Sequence, residues 1–357
     1  MAGNEAAALA LARAEQFIWL TARVLEQRRF AFHFLGAEAD PVETALGPYL
    51  NPDGGYGHAL DPDLRGPLSQ PLHTLHALRV LDSLGRCEGR RVERVCRHLT
   101  QVSTPEGALP SVLPVPRSHP VAPQHRTAVD LPADLVATGP VVGLLHRNRI
   151  WHAWLFRATD FCWQRVESAR PARLSEIPAA VAFLDGAPDP GRAAAAADRL
   201  GRVVRERGLV TLDPDDPLPR PAPSGPTPSG PPAPRPPAGQ GPAARPSSPL
   251  LPHEVAPRPD SAARAWFTDE EMDRSLTHLA AQQQEDGGWP ARRRGWTAGA
   301  VLEQRPIATI EALLTLRAYG RLPDQGSAAP TGPGPGAIDS GDAADGGLSP
   351  SGPAPLR

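Results

Sequence analysis

The chain has 357 residues, 37 basic against 39 acidic, and every basic residue is arginine. That length suits one large domain or two ordinary ones. The lack of lysine excludes a phosphate-loop lysine, a Schiff-base lysine and a Ser-Lys dyad, and a formal charge of −2 without a basic stripe argues against a nucleic-acid partner.

The N-terminal stretch "MAGNEAAALALARAEQFIWL" has no basic leader region and carries Glu5 and Glu15, so it does not read as a signal peptide. Residues 6 to 28 place Leu11, Ala14, Phe17, Ile18, Thr21, Val24 and Leu25 at helical spacing. "DPVETALGPY" predicts a second helix, with Asp40 as N-cap, Pro41 at the first helical position and Glu43 three residues after the cap. Further helices are expected near 70–84, 89–102, 134–147, 152–168, 174–186, 191–206, 269–284 and 306–319. Strand alternation is missing and Gly or Pro punctuates the helices, so the fold class is all-α. No apolar run has the length of a transmembrane helix. Cys87, Cys96 and Cys162 form no CxxC pair, which fits free thiols in a reducing cytoplasm.

Pro (45) and Gly (33) are unevenly spread. Residues 217–250 hold almost no side chain that could build a core, and the tail 322–357 has the same character, so both are expected to be disordered. The ordered chain is then 1–216 and 251–321.

Two segments repeat. "NPDGGYG" (51–57) matches "QEDGGWP" (284–290), and "TLHALRVLDSLGR" (74–86) matches "TIEALLTLRAYGR" (309–321). A degenerate third copy runs from "TPEGALP" (104–110) into "ATGPVVGLLHR" (137–147). Each unit is an outer helix, a glycine turn, a loop and an inner helix, and units of this kind must stack to bury their faces.

The glutamine-rich helix end followed by Asp-Gly-Gly-Trp, "QQQEDGGW" (282–289), resembles the QW-type repeat of the terpenoid cyclase and protein prenyltransferase superfamily. The resemblance covers 49–86 and 283–321. It implies an α/α toroid of about five or six helical hairpins, and a cytoplasmic protein that binds or processes an isoprenoid or isoprenoid diphosphate in a central cavity. The same architecture also hosts non-catalytic binding of a small molecule or protein, and carbohydrate cleavage by paired carboxylates such as Asp61 and Glu303.

Candidate chemistry gathers between turn and inner helix: His58, Asp61, Asp63 and Arg65 in the first unit, Trp296, Glu303 and Arg305 in the last. Inner-helix N-termini at one mouth would favour an anion, with Arg65 and Arg305 adding to the field. Asp61 and Asp63 are the candidate catalytic pair, as acid–base groups or as ligands of Mg²⁺ if a diphosphate is bound. The same charges could instead cap helices and pair with one another. His58, His73 and Trp289 complete the expected ligand-contacting set; Trp289 and Tyr56 also suit packing at the hairpin junctions, and His73 with His76 suits a cavity wall more than a metal site. "DPDD", with Asp213, Asp215 and Asp216, imitates the proton-donor motif of the cyclases, but Pro214 and Pro217 interrupt it and it reads as a turn. The supply of 7 Trp, 3 Tyr and 8 Phe is thin for a cavity that stabilises carbocations.

Overall fold

The computed structural model describes residues 2–116, 118–125, 133–168, 173–214, 250–291 and 295–322. Among them are twelve α-helices, isolated β-bridges and no β-strand, as the all-α reading expects. The Pro-rich stretch up to Pro249, the tail beyond Leu322, and Asp215 with Asp216 lie outside the described residues.

The helix expected over 6–28 is two helices, α1 (Ala2–Thr21) and α2 (Val24–Leu35). Arg23 causes the break. It takes extended backbone angles and sends its guanidinium to Glu26 and to the carbonyls of Ala59 and Leu60, 3.1–3.2 Å away. The Gln27 side chain donates to the carbonyls of Trp19 and Ala22, satisfying groups that the break frees. In α3 (Asp40–Leu46) Asp40 is the first helical residue and not the cap; its carboxylate meets Arg86 instead.

The helices α4 (Pro71–Ser83), α5 (Gly89–Val102), α6 (Leu135–Arg147), α7 (Ala153–Ser168), α8 (Glu176–Leu184) and α9 (Pro190–Glu206) lie close to their expected bounds. A single turn, α10 (Pro252–Val255), precedes α11 (Asp269–Ala281). The last helix, α12 (Ala298–Ala318), starts well before the expected 306, because Thr297 caps it and Pro306 is carried inside it.

Alternate helices pack on one another: α12 with α2, α4 with α6, α6 with α8, and α8 with α10. Behind them α5, α7 and α9 pack in succession, and α12 also packs on α1, so the last helix meets the first two. Gly143 permits the close approach of α6 to α8, since a Cβ there would lie 2.0 Å from the Ala182 carbonyl oxygen. The three cysteines are buried and unbridged. At the flanks of the Pro-rich stretch, Val210 and Leu250 are bridged, with the Thr211 N–H donating to Leu250 O at 2.8 Å.

The repeated turns share one geometry. Gly54, Gly107 and Gly287 have φ of 89°, 86° and 90°, values open to glycine at little cost. In each turn the glycine N–H donates to the carbonyl three residues back: Asn51, Thr104 and Gln284. Each glycine then abuts the backbone of another helix: Gly54 at Arg94 of α5, Gly107 at Arg157 and Ala158 of α7, Gly287 at Arg13 of α1. The arginine at that contact donates back to the turn carbonyls: Arg94 to Pro52 at 3.2 Å, Arg157 to Pro105 at 3.1 Å, and Arg13 to Gln284 at 2.8 Å. On the inner side, Thr74, Thr138 and Thr309 each accept the next turn N–H, from Tyr56, Leu109 and Trp289. The degenerate third copy therefore has the geometry of the other two.

A Cβ on Gly287 would sit 2.2 Å from the Arg13 carbonyl oxygen, whereas one on Gly85, also at positive φ, would meet open space. Gly287→Ala is expected to lower unfolding free energy by ~3 kcal/mol and Gly85→Ala by ~1 kcal/mol. Denaturant titration of the two variants measures the difference; equal losses would mean that the helix contact contributes nothing.

Candidate functional site

The loop from Gly57 to Gln70 is folded by its own polar groups. His58 and Ala59 take left-handed angles, with φ of 55° and 59°, and the exposed His58 ring meets Asn51 Oδ1 at 2.9 Å. Asn51 Nδ2 donates to the Pro67 carbonyl and to Ser69 Oγ, both at 2.9 Å. Asp61 Oδ1 accepts the Asp63 N–H at 2.9 Å, closing a local turn.

This loop lies against the start of α12. Arg65 pairs with Glu303 at 2.8 Å, the buried Asp63 accepts from Gln304 Nε2 at 3.1 Å, and Trp296 Nε1 donates to the Pro62 carbonyl at 3.3 Å. The structure thus brings together Asp61, Asp63, Arg65, Trp296 and Glu303. One oxygen of Asp61 is turned to the loop and one of Asp63 to Gln304. Among the described residues no three His, Cys, Asp or Glu side chains group to hold a metal ion.

Arg305 and Trp289 lie elsewhere. Arg305 forms a two-pronged pair with Asp286 at 2.6 Å, donates to Trp289 O at 3.2 Å, and stacks 4.7 Å over Phe17. Trp289 is buried and donates through Nε1 to Leu279 O. Both serve the Gly287 turn. Asp213 is exposed at the described end before the Pro-rich stretch.

Beneath the loop, His73 is completely buried, and its ring lies near the backbone of Asp61 and Leu64 without a hydrogen bond of ordinary geometry. It borders a cavity of about 10 Å³ with Leu64, Gly66, Leu68, Gln70, Val115 and His119, a space the size of one water. Burial pushes the His73 pKa down to about 4, although the nearby Asp61 carboxylate and the backbone at Asp61 and Leu64 favour the proton.

The sequence reading missed the residues of α2 that share this interior. Glu26, Arg29 and His33 recur at helical spacing and all three are buried. Burial opposes the charge on Arg23, but Glu26, bound at 2.7 and 3.0 Å, more than compensates and leaves Arg23 above its ordinary value. Arg29 is shifted down by burial, partly offset by Glu26 and Glu311. Burial, and then Arg29 and Arg317, lower His33 to about 3. His76 on α4 is held well below the usual range by burial and by the fields of Arg29, Arg23 and Arg79. The signal was present as "LEQRRFAFHF" (25–34), a helical pattern with charges on a face that also carries apolar side chains.

Comparisons with models of known protein families, with curated proteins and with solved structures return no match to this chain.

The two loop arginines should separate in mutagenesis. Arg65→Ala is expected to cost less than ~1 kcal/mol, because its partly exposed pair is screened. Arg305→Ala removes a two-pronged pair, a carbonyl contact and a ring contact, and is expected to cost ~2 kcal/mol. Equilibrium unfolding of each variant checks the order.

Stability should also depend on pH through His33 and His73. Both are uncharged when folded and titrate near 6.5 when unfolded, so below that pH the unfolded chain binds more protons. The stabilisation is complete above pH 6.5 and is lost as pH falls, by up to ~1.4 kcal/mol per pH unit for each histidine. Denaturant unfolding across this range tests it, and His73→Leu should flatten the slope by about one proton.

Proposed function

We propose that the chain is an α/α toroid of the terpenoid cyclase and prenyltransferase type, which takes an isoprenoid or isoprenoid diphosphate between its inner helices. The observation that supports this reading is the glycine-turn clasp, repeated at Gly54, Gly107 and Gly287. The third clasp seats the last unit on α1, which is how a closed series of hairpins ends. In this arrangement α2, α4, α6, α8, α10 and α12 are the inner helices, and the loop at 57–70 with the start of α12 forms one rim.

The pairing at that rim favours a second reading, in which the toroid binds its ligand without transforming it. Arg65, Glu303 and Asp63 are each engaged with another part of the protein, and Asp61 is engaged with its own turn. A general acid or base has to be within reach of the substrate proton, and the candidate carboxylates are turned to protein groups.

Calorimetric titration of the whole chain with a prenyl diphosphate and with the matching prenyl alcohol tests both readings. Saturable binding of either is expected, with the diphosphate tighter. Product analysis after prolonged incubation then separates an enzyme from a binder. If neither compound binds, the isoprenoid reading falls.

A further inference from the structure

The three glycine clasps are alike in their backbone and differ in one side chain. At the fourth residue after each clasping arginine stand His98 on α5, Phe161 on α7 and Phe17 on α1. In the last clasp the tip of the Phe17 ring fills the space beside Gly288, 2.6 Å from where a Cβ would stand. In the first clasp His98 fills the matching space beside Gly55. Its Nε2 is 2.6 Å and its Cε1 2.7 Å from the Cβ position, with Ser69 Cβ equally near. An imidazole therefore occupies a place that the last clasp gives to a phenyl ring.

That place suits an uncharged ring. His98 is 3 % exposed, and its Nε2 is buried without a hydrogen-bond partner. Nδ1 lies 3.4 Å from Asp53 Oδ2, while Asp53 Oδ1 accepts from Ser69 Oγ at 2.8 Å and from the Gly55 N–H at 2.9 Å. A neutral ring with its proton on Nδ1 meets Asp53 and leaves only a lone pair on Nε2. A protonated ring adds an N–H at Nε2 with no acceptor in the packed space, and such a group is costly to bury. Burial accordingly holds His98 below the ordinary histidine range, against the pull of Asp53.

The other charges of the neighbourhood are engaged elsewhere. On α5 itself, Arg94 is bound to the carbonyls of Asn51 and Pro52, Arg97 to Glu93, and Arg91 to Glu43 of α3. Arg157 of α7, which packs against α5, is turned to the Pro105 carbonyl. In the last clasp the carboxylate in the place of Asp53 is Asp286, and it is held by Arg305, which also stacks over Phe17. The last clasp has no group that titrates as histidine does, and the first has one at its centre.

We propose that the first clasp is an acid-released latch: protonation of His98 drives its ring from beside Gly55 and frees the turn at 51–56 from α5, while the clasp at Gly287 stays closed. Asn51 of the same turn is bound to Pro67, Ser69 and His58, so release loosens the loop at 57–70 as well. The latch draws on no property of a ligand and stands apart from the isoprenoid reading.

Hydrogen exchange of the whole chain tests it, with the Tyr56 amide reporting the first clasp and the Trp289 amide the last. Each donates to the threonine of the following helix. The ring is uncharged when clasped and titrates normally when released, so closure is complete above about pH 6.5 and is lost as pH falls. After correction for the intrinsic effect of pH, opening at Tyr56 should rise by up to about tenfold per pH unit below that value. Opening at Trp289 should not follow. His98→Phe puts a ring like that of Phe17 in the same space; it should keep the clasp and lose the pH dependence at Tyr56.

No rise at Tyr56 in the wild type would overturn the proposal. So would an equal rise at Trp289, which marks unfolding of the whole chain, or a rise at Tyr56 that persists in His98→Phe, where Asp53 is still present. Should His98→Phe not fold, the wild-type histidine resonances decide. His98 must titrate below the exposed His58, and Tyr56 must open as it does so. A His98 that titrates at or above His58 is held in place by Asp53, and the latch falls.

Discussion

The structure depends on the approach of a turn backbone to a helix backbone, at a distance that no side chain would allow. At Gly54, Gly107 and Gly287 the missing Cβ is where the neighbouring helix passes, and an arginine from that helix satisfies the turn carbonyls. The contact therefore sets helix spacing and hydrogen bonding together. It also fixes the start of each following segment, because the residue after the two-glycine turn, or its equivalent Leu109, binds the inner-helix threonine. The loop at 57–70 and the first turns of α12 face each other because these anchors hold the elements on either side.

Inside that frame, α2 and α4 bring charge and imidazole to positions where a helical protein would ordinarily place leucine. The Arg23–Glu26 pair is satisfied by carbonyls of the loop at 57–70, so part of the interior is a polar network tied to that loop. Breaking such a network costs more than its net worth, since the remaining partner stays buried. The loop at 57–70 and α2 are thus mechanically one piece: the same guanidinium that separates α1 from α2 also holds the backbone at Ala59 and Leu60.

Much of this was legible in the sequence where the cause is local. Glycine pairs, the threonine that recurs on the following helix, and the helix periodicity all act within one unit. The arginines of the clasp were not legible, because each belongs to a different unit from the turn it holds and shares no motif with it. Arg305 was read as a rim charge from its place in the chain. Its true register is that of Gln70, four residues before the repeat threonine, and both reach the carbonyl of the aromatic turn residue, Gln70 by its N–H and Arg305 by its side chain. The break at Arg23 was hidden because its cause, the carbonyls of Ala59 and Leu60, lies in a distant loop. The last helix is expected from near 306, whereas Thr297 supplies a cap upstream and the helix begins there.

The clasps differ most in the length of chain they enclose. Those made by Arg94 and Arg157 span 42 and 52 residues, while that made by Arg13 to the Gln284 carbonyl spans 271. Closing the longer span costs only ~1.5 kcal/mol more in chain entropy, because that cost grows with the logarithm of length. The kinetic consequence is larger: α1 has no turn to receive it until the last unit exists, whereas the other two clasps can form as their own segments emerge. During synthesis the face of α1 around Arg13 and Phe17 therefore waits uncovered for the roughly 270 residues that separate it from its turn, although the same helix can pack on α2 at once.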